Sequence, residues 1–271
     1  MTYSLTQQGF ELADLRRIWQ QPVTIQVDDH LMQGVIQSRQ TVEQVAAGDD
    51  TVYGVNTGFG LLAHVKIDKS ELDTLQRNLV ISHATGVGNP IDTDTTRLIM
   101  TLKAMSLAQG VSGIHANTLK LLLAMINHEI YPLIPEKGSV GASGDLAPLA
   151  HLSSAMIGLG QVSYQGETKP VMDVFESLDL TPIKLGPKEG LALLNGTQVS
   201  TGLALKGLFQ AENVFHGAIL AGALSVDAAK GSLVPFDERI HRARRQKGQI
   251  SVARARSEEH TSELQSLARI A

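Results

Sequence analysis

The run Gly138-Ser139-Val140-Gly141-Ala142-Ser143-Gly144-Asp145 contains a tripeptide that can turn into an electrophile. The nitrogen of Gly144 can attack the carbonyl carbon of Ala142 and close a five-membered ring. Loss of two waters, one of them carrying the Ser143 hydroxyl, leaves an exocyclic methylidene. The product, a 4-methylideneimidazole-5-one, accepts nucleophiles, which no ordinary side chain does. Closure needs a sharply bent backbone. Gly144 lacks a Cβ and reaches strained dihedrals at low steric cost. Ala142 keeps the crowded side of the ring small, and Ser143 carries the hydroxyl that leaves. Gly138 and Gly141 let the loop fold tightly, and Asp145 can handle protons during the dehydrations. The same residues also suit a plainer role. Ser143 or Asp145 can cap an apolar helix running from about Leu146 to Gly160, with Pro148 in its first turn. The two roles are compatible, because a helix N-terminus favours developing negative charge.

Other routes to hard chemistry fit poorly. The chain has no cysteine, so disulfides and thiolate catalysis are excluded. A nucleophile elbow needs Gly-x-Ser-x-Gly, but Asp145 stands where the last glycine belongs. No Gly-Lys-Ser/Thr follows the glycines, so a phosphate loop fails as well. His64, His115 and His151 lack metal-ligand spacing, and no metal is expected.

Four segments carry a resemblance. Gly138 to His151 reads GSVGASGDLAPLAH and resembles the signature of the aromatic amino acid ammonia-lyases. Tyr53-Gly-Val-Asn-Thr-Gly-Phe-Gly60, Asn78-Leu-Val-Ile-Ser-His-Ala-Thr-Gly86 and Lys188-Glu-Gly-Leu-Ala-Leu-Leu-Asn-Gly-Thr-Gln198 agree with it in order and rough spacing. Within that family the histidine-specific members are the most similar, from near the N-terminus to about Ile250. The resemblance implies loss of ammonia from L-histidine to give trans-urocanate. It implies a methylidene-imidazolone built from Ala142, Ser143 and Gly144, which takes up the substrate amino group and makes nitrogen a better leaving group.

Residue by residue, the resemblance makes Tyr53 the base that removes the β-proton. A tyrosine normally titrates near ~10, so it must act from a polarised site. His83 would face the substrate side chain, where two ring nitrogens can exchange hydrogen bonds with an imidazole. A histidine here argues against phenylalanine as substrate and less strongly against tyrosine. Asn195 would lie near the ring and the substrate amino or carboxylate group, with Gln198 supporting it. Gly60 would allow close approach of backbone to ligand, and Asp145 would assist ring formation. Without that context Tyr53 reads as a loop tyrosine, His83 as a core histidine and Asn195 as a turn residue before Gly196. A tyrosine ammonia-lyase, an aminomutase of the same family and a non-catalytic remnant remain the alternatives. The family's carboxylate-binding arginine, a second tyrosine and a late glutamate come from a downstream half that this sequence lacks. Its active sites are shared between subunits of a homotetramer. The chain therefore reads as a fragment.

These residues need a scaffold, and the periodicity supplies a mainly α one. Helices are expected at Leu12 to Trp19, Leu31 to Ala46, Ser70 to about Gly86, Thr93 to Gly110 and Ala116 to Glu129. In the third, Leu72, Leu75, Leu79 and His83 share a face. Val23 to Val27 is a strand candidate, Val162 to Pro170 a hairpin, and Val171 to Ser177 a short helix. Gly190 to Ala229 reads as nearly continuous helix, apolar on most faces, as in a bundle or an oligomer. The expected organisation is a ring-bearing N-terminal domain over residues 1–200 and the start of a long central bundle over 201–250. Residues 251–271 read as a non-native tail, in which 256–266 resembles the translated frame of a sequencing-library adapter.

Composition agrees with this reading. Of 271 residues, 43% are hydrophobic and only 18% charged, which points to extensive surface buried between subunits. The net charge of -4 does not suggest nucleic acid or a membrane surface as partner. No apolar run reaches the ~18 residues of a membrane span, and the N-terminus lacks a signal-peptide pattern. Together with the absence of cysteine, this fits the cytoplasm.

Overall fold

The structure is a computed structural model that describes residues 1–58, 67–68 and 71–260. The chain is mainly α with short strands, as the periodicity predicts. It divides into two units, Met1–Lys206 and Gly207–Ala271.

In the first unit, strand β1 (Thr2–Leu5) pairs in parallel with β2 (Thr24–Val27) across helix α1 (Leu12–Gln20). Next come α2 (Asp29–Ala47), α3 (Leu72–His83), β3 (Val87–Pro90), α4 (Thr93–Ala108) and α5 (Ala116–Asn127). Strands β4 (Tyr131–Pro132) and β5 (Pro135–Lys137) lead to α6 (Leu146–Met156). The hairpin β6 (Gln161–Tyr164) and β7 (Glu167–Pro170) follows, then α7 (Val171–Ser177), α8 (Glu189–Leu194) and α9 (Gln198–Ala228). β3 pairs antiparallel with β5, and β4-β6-β7 form a three-stranded antiparallel sheet.

The core lies where α4, α5 and α6 meet. Leu98, Ile99, Met100 and Leu107 are buried with Leu119, Leu122, Ile126, Leu149 and Met156. Burial of this much apolar surface, at about 25 cal/mol per Å², fixes the helices on which the site is built. Arg97, only 1% exposed, lies inside this core. Its guanidinium donates to the carbonyls of Ile18 and Trp19 and pairs with Asp94. It thereby satisfies carbonyls at the C-terminal end of α1, which the helix itself leaves without donors.

Three local expectations change. β3, β4 and β5 are strands that the periodicity does not announce. They are two to four residues long and rich in Pro and Gly, so pairing rather than propensity makes them. In α3 the fully buried stripe is Leu72, Gln76 and Val80, while Leu75, Leu79 and His83 flank it half-buried. Gln76 belongs inside because its Oε1 accepts from the Gly190 amide at 2.9 Å, at the start of α8. Finally, the helix expected from Gly190 onward breaks at Asn195-Gly196-Thr197.

In the second unit, a 3-10 turn at Val234–Phe236, α10 (Glu238–Ala243) and α11 (Lys247–His260) accompany the rest of α9. Asp237 caps α10 by accepting from the Arg239 amide at 2.9 Å. On α9, Val214, Phe215 and Leu224 stand exposed. No helix among the described residues is long and apolar enough to cross a membrane.

Candidate active site

The loop expected to form the ring is sharply bent. Gly141, Ser143 and Gly144 have φ of 70°, 62° and 102°. For Ser143, a residue with a Cβ, the left-handed region costs about 1–2 kcal/mol. Gly144 has no substitute: a Cβ there would lie 2.4 Å from the Gly196 carbonyl oxygen. Gly144 and Gly196 form a bridge, and the Asp145 amide donates to the Gly196 carbonyl at 2.8 Å. The loop is thus docked onto the break between α8 and α9.

The break presents Asn195. Its side-chain Nδ2 donates to the Leu191 carbonyl at 3.0 Å. That leaves Oδ1 to accept from Ser143 Oγ, also at 3.0 Å. The Ser143 hydroxyl is therefore held by an amide from 52 residues further along the chain.

Asp145 sits at the N-cap position of α6, but its carboxylate makes no bond to that helix's own amides. It turns instead toward α9. Oδ2 accepts from the Ser200 amide at 2.8 Å, and Oδ1 from Ser200 Oγ at 2.5 Å and Ser139 Oγ at 2.8 Å. The carboxylate is 1% exposed. It stands at the N-terminal ends of two helices, where positive dipole ends favour a negative charge.

Tyr53 is carried by a turn that its own motif closes. Asn56 Oδ1 accepts from the Val52 amide at 2.8 Å, and Asn56 Nδ2 donates to the Asp50 carbonyl at 2.8 Å. Gly54 has φ 75° and donates to Thr57 Oγ1. Asn56 and Thr57 are buried, whereas Tyr53 is 53% exposed. The motif spends its polar side chains on holding a tight turn that projects the phenol outward.

Tyr53, Ser143 and Asn195 line one cavity of about 320 Å³, with Ser112, Lys188, Leu191 and Ala192. Lys188 and Ser112 are lining residues that motif reading did not single out. Lys188 Nζ donates to the Ser112 carbonyl at 3.0 Å, and Lys188 itself has φ 68° at the start of α8. The signal available in the sequence was its position at the head of the Lys188 to Gln198 segment.

His83 is the last residue of α3 and is not among the described lining of this cavity. Its Nδ1 lies 2.8 Å from the Leu79 carbonyl. A carbonyl only accepts, so Nδ1 carries the proton, and in the neutral ring Nε2 is left as an acceptor. Gln198 Oε1 is buried and has no hydrogen-bond partner among the described residues. Gly60 lies outside the described residues. His151, half-buried on α6, accepts from the Gly86 amide at 3.0 Å, and burial holds its pKa below the usual histidine value. That bond secures the turn after His83. Among the described residues no group of three His, Cys, Asp or Glu is arranged to hold a metal ion.

A second charge is buried beside the site. Lys103 on α4 is 1% exposed, and burial brings its pKa down to about 7. An unfolded lysine keeps its proton to about 10.5. The unfolded chain therefore binds more protons between these values, and the lysine's cost to stability fades as pH rises from 7 to 10.5.

The comparisons with known proteins fit this geometry. The family model described as aromatic amino acid lyase matches residues 10–265. The chain belongs to the aromatic amino acid lyase family. It is 54% identical over 244 residues to the histidine ammonia-lyase of Pseudomonas fluorescens (strain SBW25), covering 90% of this chain and 48% of that one. Among solved structures, histidine ammonia-lyase from Trypanosoma cruzi superposes with a TM-score of 0.87 at 32% identity, covering 94% of this chain and 49% of the other. Tyrosine aminomutase from Streptomyces globisporus gives a TM-score of 0.87 at 34% identity, over 94% and 48%. The chain spans about half the length of the curated relatives it matches. In this family member the bent Ala142-Ser143-Gly144 loop, the tethered Ser143 hydroxyl and the buried Asp145 are residues that fit a methylidene-imidazolone.

Proposed function

We propose that this chain is the ring-bearing part of a histidine ammonia-lyase, which eliminates ammonia from L-histidine to give trans-urocanate. One observation carries the reading. Ser143, in a left-handed bend beside Gly144, gives its hydroxyl to Asn195 in the cavity that Tyr53 also lines. The identity of about half to histidine ammonia-lyases supports the substrate.

Ala142, Ser143 and Gly144 would hold the 4-methylideneimidazole-5-one, which supplies an electrophile for the substrate amino group. Tyr53 removes the proton from the substrate β-carbon. Asn195 orients the amino or carboxylate group through an amide already fixed by the Leu191 carbonyl. His83 offers Nε2 as acceptor to an imidazole N–H, Gln198 supports the Asn195 network, and Gly60, which lies outside the described residues, has the role of allowing backbone to approach the ligand closely. The exposed Val214, Phe215 and Leu224 of α9 support a further proposal, that in the full-length enzyme this helix enters the bundle of a homotetramer.

Two variants test the roles in an enzyme with the full length of its relatives. Tyr53→Phe is expected to keep the ring and lose turnover by roughly 10²–10⁴-fold, the usual contribution of a positioned acid or base. Near-normal turnover would reject Tyr53 as base. His83→Phe is expected to cost at least about 10²-fold in kcat/KM on L-histidine, because the substrate imidazole loses its partner. An unchanged preference between histidine and tyrosine would remove His83 from the substrate contacts and reopen the tyrosine-directed reading.

A further inference from the structure

The break between α8 and α9 puts Asn195 against Ser143. Asn195-Gly196 weakens the helix locally, but weak propensity alone does not fix the geometry of the break. The carbonyls that a continuous helix would offer to the amides of Gly196 and Val199 are those of Ala192 and Asn195. Both are taken by one group: Lys103 Nζ donates to the Ala192 carbonyl at 2.8 Å and to the Asn195 carbonyl at 2.8 Å. Lys103 lies in the core helix α4, far along the chain, and no carboxylate among the described residues pairs with it.

We propose that Lys103 is a positioning residue of the active site. It captures the two carbonyls at the C-terminal end of α8, stops the helix at Leu194, and so fixes the Asn195 amide against the ring-forming serine. The inference deepens the site reading above and rests on it for the role of Asn195.

Three observations support it. The ammonium stands on a helix C-terminus, the end where the dipole favours a cation. With its carbonyl held by Lys103, Asn195 adopts ψ 138°, an extended residue rather than a helical one. The next residue, Gly196, has φ 140° and hands its carbonyl to the Asp145 amide. Lys103 and Asp145 thus grip the three-residue break from opposite sides. A buried lysine with no carboxylate partner is costly to keep, and a merely structural position of this kind would be filled more stably by methionine or leucine.

Hydrogen exchange read residue by residue on the 271-residue chain tests this. In Lys103→Met, the amides of Asn195, Asp145 and Ser200 should exchange roughly ten- to a hundredfold faster, as expected when a bond to a charged group is lost. The amides of α4 and α5 should keep their protection. Unchanged exchange at the break, or an equal loss across Met1–Lys206, overturns the proposal. Should the methionine variant fail to fold, Lys103→Cys replaces it. The chain has no other cysteine, so aminoethylation at that one site rebuilds the amine on a side chain of lysine length. Protection at the break should return with the amine, and its failure to return overturns the proposal equally. Intact mass separates this from the ring reading. If the unmutated chain shows no two-water deficit, ring formation fails, while the exchange data still decide the role of Lys103.

Discussion

Ser143→Ala should abolish the two-water mass deficit expected of the unmutated chain, leaving the variant at most one water light. The argument is chemical. One of the two waters lost on ring formation takes the Ser143 hydroxyl with it, and a methyl group offers nothing to expel. The variant should still fold, because Ser143 is exposed and its described side-chain bond is the one to Asn195. Loss of an exposed hydrogen bond costs about 1 kcal/mol or less, well within the reserve of an ordinary domain. The thermal midpoint should therefore barely move while the two-water deficit disappears. In an enzyme of full length, turnover should fall to that of the ring-free protein. A two-water deficit that persists in Ser143→Ala would assign the dehydration to other residues and end the assignment of the ring to this loop.

The parts of this fold that were legible in the sequence are those whose cause is local. The hairpin β6-β7 and helix α7 lie where turn residues and apolar periodicity put them. So do the five longer helices up to Asn127, within a few residues. What stayed hidden depends on side chains reaching across the chain. Gln76 caps α8 from 114 residues away, Glu189 accepts from the His115 amide at the start of α5 from 74, and Asp145 caps α9 from 55. No window of sequence contains both halves of such a cap. The break at Asn195-Gly196-Thr197 is the same case. Asn195-Gly196 marks a weak point in the helix, but Lys103 and Asp145, whose bonds hold the geometry of the break, both lie outside the segment.

The site divides along the same line. Tyr53, Ser143 and Asn195, which motifs single out, line one cavity. The residues that orient them are not in those roles by type. Asn56 and Thr57 look like part of a glycine-rich loop, yet they close the turn that projects Tyr53. Lys103 reads as one more polar position on an amphipathic helix, yet it is buried. Arg97, two turns earlier on the same helix, does for α1 what Lys103 does for α8. α4 thus uses two buried cations to end two helices, and a hydrophobicity pattern sees only an imperfect apolar face.

Asp145→Ala should be the most damaging single truncation near the site. The carboxylate accepts three hydrogen bonds: two from Ser200 and one from Ser139. Alanine removes the cap of α9 and leaves these donors to whatever water reaches them. Cap loss and unmet donors together should cost about 2–4 kcal/mol. For a unit of this size that lowers the thermal midpoint by roughly 5–15 °C. Asp145→Asn separates structure from chemistry. It keeps the volume and one acceptor oxygen, but its amide NH₂ faces a donor, and the negative charge between two helix N-termini is gone. It should fold with about half the destabilisation of the alanine variant. If Asp145 also handles protons during dehydration, the folded asparagine variant should acquire the two-water deficit far more slowly than the unmutated chain. Ring formation at the normal pace in Asp145→Asn would confine Asp145 to holding α9. Ring formation unaltered in both variants would mean that the Gly144 to Gly196 bridge alone is enough to keep the loop bent.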